Sequence, residues 1–150
     1  MKKLFNLLLE FIFMFLFSGL VYVIIELLFR GYSFVSMFIL GGICGVFLCF
    51  LNNIFTYDMD FLLQIGISTV VCTLLEWICG LIVNQDFTIW DYRYLCGTFA
   101  NQQCNIFFCF AWMGISAICI PVLDYIEWVL FQDKDESKKP YYKIFGKKIF

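Results

Sequence analysis

Four long apolar runs, at residues 4–29, 34–55, 61–83 and 104–131, dominate the chain. Each reaches the roughly 20 residues a helix needs to cross a bilayer's hydrocarbon core. The breaks between the first three are short: Gly31-Tyr32-Ser33, then residues 56–60. Connections this short make the second and third helices antiparallel neighbours. The third connection, residues 84–103, is long and mixes Gly97, aromatics and amides without helical period. Backbone at membrane depth must be satisfied by protein or water, so this loop is expected to dip into the protein. The pattern predicts an all-α polytopic bundle of four transmembrane helices within residues 1–131, with one long loop on the outer side. A charged tail, residues 132–150, follows.

Composition strengthens this reading. Of 150 residues, 63% are hydrophobic and 15% charged, with mean hydropathy +0.88. A soluble domain averages about 45–50% apolar and about 25% charged, so the lipid bilayer is the first expected partner. Lys2 and Lys3 before an apolar run resemble a signal peptide, but the run is too long and lacks an A-x-A site, so it reads as a retained helix. Net charge is −2, which does not favour nucleic acid as a partner.

Charge placement sets the expected orientation. Six of the ten basic residues follow residue 131: Lys134, Lys138, Lys139, Lys143, Lys147 and Lys148. With four spans, Lys2 and Lys3 share their side, while Arg30 and Arg93 lie opposite. The positive-inside rule predicts a cell-membrane protein with both termini cytoplasmic.

The polar residues inside the runs carry the candidate chemistry, because a mid-span carboxylate costs about 2.5–3.5 kcal/mol on insertion scales. The first run carries Ser18, Tyr22, Glu26 and Arg30, each four residues after the last, so they share a helix face. Glu26 and Arg30 form either a neutralised pair or one wall of a polar route. The second carries Gly41 and Gly45, a GxxxG pair suited to close helix packing. The third holds Glu76 with no basic residue within a turn. Its expected company is a polar cluster of Glu26, Arg30, Glu76, Asp91 and Arg93, assembled by the loop motif of Trp90, Asp91, Tyr92 and Gln103. The fourth holds two inner acids, Asp124 and Glu127, which either attract a cation or are solvated at the helix end.

Eight cysteines and no histidine show no CxxC spacing, and no metal or cofactor is expected. Cys96 and Cys104 are either free thiols or a disulfide across the loop. The absence of GxxxxGK[ST], GxSxG and HExxH motifs argues against an enzyme. Paired acid chemistry by Glu76 and Asp91 is the one enzymatic alternative.

Several short groups together form a resemblance. Ile25-Glu26, Arg30-Gly31-Tyr32-Ser33, Ser36-Met37, Gly41-Gly42, Asn52, Met59, Gln64, Leu75-Glu76, Gly80, Asn84, Trp90-Asp91-Tyr92, Gln103, Trp112, Asp124-Tyr125 and Trp128 span roughly residues 20–131. This pattern resembles the ABC-transporter permease family of type IV (CmpB-like). Phe34 stands where that family often has His, and Gln102-Gln103-Cys104-Asn105 replaces a Gly-Gln-Ile-Cys-like stretch. The resemblance implies a transport-related membrane subunit of bacteria or their phages, working with a separate ATPase. Four helices are few for a complete transporter, so a homo-oligomer or a membrane partner is expected. The competing readings are a phage-type pore former and a membrane-anchored interaction protein.

Overall fold

A computed structural model describes residues 2–149, with side chains described from residue 4. Four helices make up most of it: α1 (Lys2–Arg30), α2 (Val35–Phe55), α3 (Phe61–Val83) and α4 (Ile106–Leu130). All four are long and apolar enough to cross a membrane. The protein is an all-α membrane bundle with very little sheet.

Local chemistry sets the helix starts. Asp60 accepts the backbone N–H of Leu62 at 3.0 Å ahead of α3, and Asn105 accepts that of Phe107 at 2.9 Å ahead of α4. Both are side-chain N-caps, which satisfy one of a helix's orphan donors. The fourth run was expected to turn helical at residue 104. Instead Cys104–Asn105 (β2) pairs antiparallel with Thr98–Phe99 (β1), and α4 begins only after the Asn105 cap.

α2 is the central helix. It packs along α1 and also meets α3 and α4, while α3 packs on α4. Over the apolar windows, 56% of α2 is buried but only 17% of α1. The α1–α2 seam depends on missing side chains: a Cβ at Gly45 would overlap Ser18, and one at Gly41 would overlap the Tyr22 side chain. Both glycines therefore lie against another helix, the close approach that small residues allow.

The bundle has two polar ends. Around one end lies the 84–105 connection, called here the loop end. At the other lie the start of α1, the 56–60 turn and the tail. The buried apolar residues form two clusters, one toward each end: Met14, Leu48, Leu51, Ile120, Leu123 and Tyr142 near the tail, and Met37, Leu40, Cys72, Trp90, Tyr92 and Trp112 near the loop.

The basic tail, expected to be cytosolic or surface-bound, folds back onto the bundle. Lys143–Ile144 (β3) and Lys147–Lys148 (β4) form a hairpin whose turn residues, Phe145 and Gly146, both have left-handed φ, 49° and 75°. This is the conformation a two-residue hairpin turn requires. Tyr142, 2% exposed, is driven into the helices. Lys143 and Tyr141 bind the Asp58 carboxylate in the 56–60 turn. Trp128 Nε1 donates to the Asp135 carbonyl at 2.8 Å.

Candidate functional site at the loop end

The 84–105 connection is an ordered cap, held by two amides. Asn84 donates to the carbonyl of Trp90 at 2.7 Å and to Gln103 Oε1 at 3.0 Å, and accepts the N–H of Ile89 at 2.8 Å. Gln103 Nε2 donates back to the Asn84 carbonyl at 3.0 Å, and Trp90 Nε1 donates to the Gln103 carbonyl at 3.0 Å. Backbone groups that cannot reach water are thereby satisfied by protein. Gly80 makes room for this pair, since a Cβ there would come 2.5 Å from Gln103 Oε1. Gly97, at φ 77°, supplies the left-handed turn before β1.

The cap places Tyr92 over Glu76. Tyr92 Oη donates to Glu76 Oε1 at 2.9 Å, and Trp112 Nε1 of α4 donates to Oε2 at 3.0 Å. Glu76 is 4% exposed, and each of its oxygens has a donor, as burial demands. Burial first, then the adjacent Glu76 carboxylate, pushes the Tyr92 phenol above its ordinary pKa. Tyr92 therefore remains a donor at any physiological pH. Its ring stacks on Phe108 at 4.6 Å, and Tyr22 stacks on Trp112 at 5.7 Å.

Glu26 and Arg30 close the outer rim. They form an ion pair at 2.8 Å, Ser33 Oγ donates to Glu26 at 2.7 Å, and Arg30 Nη1 donates to the Ile89 carbonyl at 2.6 Å. That last bond ties the cap to α1. Glu26, Arg30, Glu76, Trp90 and Tyr92 line one cavity of ≈ 140 Å³ together with Tyr22 and Trp112. Glu26 is paired with Arg30, so Glu76 is the cavity carboxyl left without a basic counterpart.

Asp91 and Arg93, expected in the same cluster, are not among the cavity's lining residues. They pair with each other at 2.7 Å on the exposed side of the loop, where the Arg93 guanidinium holds the Asp91 carboxyl below its usual range. The reason is local. Tyr92 is buried, while Asp91 and Arg93 on either side are exposed. Glu76 thus finds aromatic donors rather than a base, and the Glu76–Asp91 acid pair does not form a common site. Cys96 and Cys104 are both free thiols, one exposed and one buried.

An apolar groove of ≈ 240 Å³ continues from this cavity, sharing Tyr22, Trp112 and Ile115 with it. Its lining extends to Leu48 and Leu123, the sequence neighbours of Cys49 and Asp124. There the inner acids are buried, not solvated. Asp124 Oδ2 accepts from Asn52 Nδ2 at 2.7 Å and from Tyr142 Oη at 2.5 Å. Glu127 Oε1 accepts from Asn53 Nδ2 at 3.1 Å and Gln132 Nε2 at 2.5 Å. Sequence reasoning missed Glu10, which reaches this cluster from α1. The signal was present: Glu10, Met14, Ser18, Tyr22, Glu26 and Arg30 follow one another at intervals of four. Tyr142 carried no comparable signal, because nothing in the tail's sequence says that it returns to the membrane domain.

Compared with family models, with curated proteins and with solved structures, the chain matches none.

Proposed function

We propose that this integral membrane protein is a transport-related subunit whose loop-end cavity receives a small organic cation. The observation that carries the reading is Glu76. It is the one carboxylate of the cavity without a basic counterpart, and it sits among the rings of Tyr22, Trp90, Tyr92 and Trp112. A carboxylate ringed by aromatics suits an ammonium group, which gains both Coulomb attraction and cation–π contact. Tyr92 and Trp112 hold the charge in place before any ligand arrives, so little ordering is needed on binding. The apolar groove toward the tail end gives the site a continuation along the bundle.

In this reading both termini are cytoplasmic and the cap faces outward, in line with the lysine distribution. A homo-oligomer or a membrane partner completes the translocation route, and a separate ATPase, implied by the sequence resemblance, supplies energy. No catalysis by this chain is involved.

The test is tetramethylammonium titration of the purified protein, followed by tryptophan fluorescence against sodium chloride of equal ionic strength. A saturable change is expected in the wild type, lost in Glu76→Gln and retained in Asp91→Asn. No response in the wild type rejects the reading.

A second reading, a membrane-anchored interaction protein, draws on α1, whose apolar window is only 17% buried. That leaves a long face for lipid or a partner helix. An anchor needs no ligand and predicts no ammonium response in any variant.

A further inference from the structure

The tail-end cluster differs in kind from the cavity above, and the inference drawn from it does not depend on that reading. Glu10 of α1, Cys49 of α2 and Glu127 of α4 each bring one ligand atom to within 4.8 Å of the others. Cys49 is fully buried, Glu127 is 3% exposed and Glu10 9%. Among the described residues, none of Glu10, Asp124 and Glu127 forms an ion pair with a lysine or arginine.

The surrounding hydrogen bonds are short of donors. The amides of Asn52, Asn53 and Gln132 and the Tyr142 hydroxyl already donate to Asp124 or Glu127, and Cys49 Sγ lies 3.5 Å from Glu127 Oε2. Three buried oxygens still accept nothing: Glu10 Oε1, Asp124 Oδ1 and Asn52 Oδ1. Asn52 is a neutral side chain, 4% exposed, held beside Asp124 by its own amide. Its carbonyl oxygen is an unmatched acceptor beside Asp124, and Glu10 Oε1, within the ligand set itself, is a second. An unmatched acceptor and unpaired carboxylates are both costly in a low-dielectric interior. A proton offsets one charge and occupies one acceptor. A metal ion offsets two charges and takes several oxygens at once.

We infer that Glu10, Cys49 and Glu127 form a binding site for a borderline divalent transition-metal ion of the zinc class. The three ligand atoms, all within 4.8 Å of one another, close onto one ion at metal–oxygen distances of about 2.0–2.2 Å and a metal–sulfur distance of about 2.3 Å with a small inward rotation of the side chains. The sulfur donor disfavours magnesium and calcium, which take oxygen ligands. Asn53 and Gln132 orient Glu127 from behind, the outer-shell support that metal carboxylates use. Binding deprotonates the Cys49 thiol, and the proton leaves to solvent. The three ligands come from three helices, so an ion there clamps α1 to α4, a pair that otherwise touches little. The C-terminal hairpin covers this end through Tyr142, which is buried against Asp124.

The test uses the full chain, purified in detergent, stripped of metal and titrated with Co²⁺ as a spectroscopic substitute for Zn²⁺. A thiolate-to-cobalt charge-transfer band is expected to saturate at about one ion per chain and to be displaced by Zn²⁺. Cys49→Ser removes the band, whereas Cys96→Ser, which alters the exposed thiol, leaves it. Glu10→Gln keeps a band but weakens binding at least about tenfold, at the low end of what even an outer-shell loss costs. Should Cys49→Ser fail to fold, Zn²⁺-dependent melting decides: Zn²⁺ raises the melting temperature of the wild type and has a much smaller effect on Glu10→Gln. Absence of the band, its survival in Cys49→Ser, or a wild-type melting temperature that responds to pH but not to Zn²⁺ overturns the inference. The last result identifies a shared proton in place of a metal.

Discussion

Glu76 at the loop end and Asp124 at the tail end are both buried carboxylates on the inward faces of membrane helices, yet their surroundings are opposite. Glu76 has one donor for each oxygen, from Tyr92 and Trp112, and the neighbouring acid Glu26 has its own arginine. Asp124 keeps one oxygen without a donor and lies in a cluster with Glu10 and Glu127, beside the similarly unmatched Asn52 carbonyl. One region is balanced as built and can gain a ligand by contact with aromatic faces. The other has surplus acceptors that a cation or added donors would satisfy. A buried acid therefore does not define a function until its donors have been counted.

The largest expected effect lies between the two regions. Gly45→Leu forces a side chain into Ser18 and pries α1 from α2, loosening both ends together. Overpacking of this kind costs about 1–3 kcal/mol or more, so a clear fall in the detergent melting temperature is expected. An unchanged melting curve would mean that the ends do not share this seam.

Next is Glu76→Ala, which leaves the Tyr92 hydroxyl and the Trp112 indole N–H without their acceptor. Each stranded donor costs about 1–3 kcal/mol. Glu76→Gln keeps one acceptor and turns an amide donor against another donor, so an intermediate loss is expected. Equal melting temperatures for wild type and Glu76→Gln would show that the two donors do not depend on the carboxylate.

Asp124→Asn sharpens the contrast. The same acid-to-amide change here adds a donor where acceptors are in surplus, beside the unmatched Asn52 carbonyl. Stability in metal-free buffer is expected to stay level or to rise by about 0.5–1.5 kcal/mol, the worth of one hydrogen bond. A loss as large as that of Glu76→Gln would erase the distinction between the two ends.

The smallest effect is that of pH on the tail. Lys143 and then Tyr141, by hydrogen bonding, hold the exposed Asp58 carboxyl below its usual value. A depressed folded pKa stabilises above the unfolded value, about 3.9, and that contribution is lost as pH falls through the folded value. The hairpin should therefore stay seated at neutral pH and loosen only below the ordinary aspartate range, as faster pepsin cleavage near Phe145. Asp58→Asn should expose the same site to a neutral-pH protease. Cleavage that does not change with Asp58→Asn would mean that the other contacts, Tyr142 and the Trp128–Asp135 bond among them, seat the tail.

Much of the architecture was legible in the sequence, because a membrane span is a composition read over about 20 residues, and neither partner nor register enters that reading. The four helices, the irregular 84–103 connection and the isolation of Glu76 from any base one turn away follow in this way. The partners of Glu76 do not. A helix repeat shows which face a residue occupies, but not whether the loop above it will turn Asp91 or Tyr92 inward. The Asn84–Gln103 lock made that choice. The tail-end cluster lay further out of reach, since Glu10, Cys49, Asp124 and Tyr142 are widely separated along the chain. Local spacing cannot join them.

The sequence by itself determined that this chain lives in a membrane, how many times it is able to cross, and which polar groups could not face lipid, since those follow from transfer free energies summed along the chain. Only the tertiary structure decided which donors meet which acids, that the charged tail returns to cover one end, and that acceptors are balanced at one end and in surplus at the other. Hydrogen bonding is directional and short-ranged, so its bookkeeping exists only once the helices, the cap and the hairpin have been placed against one another.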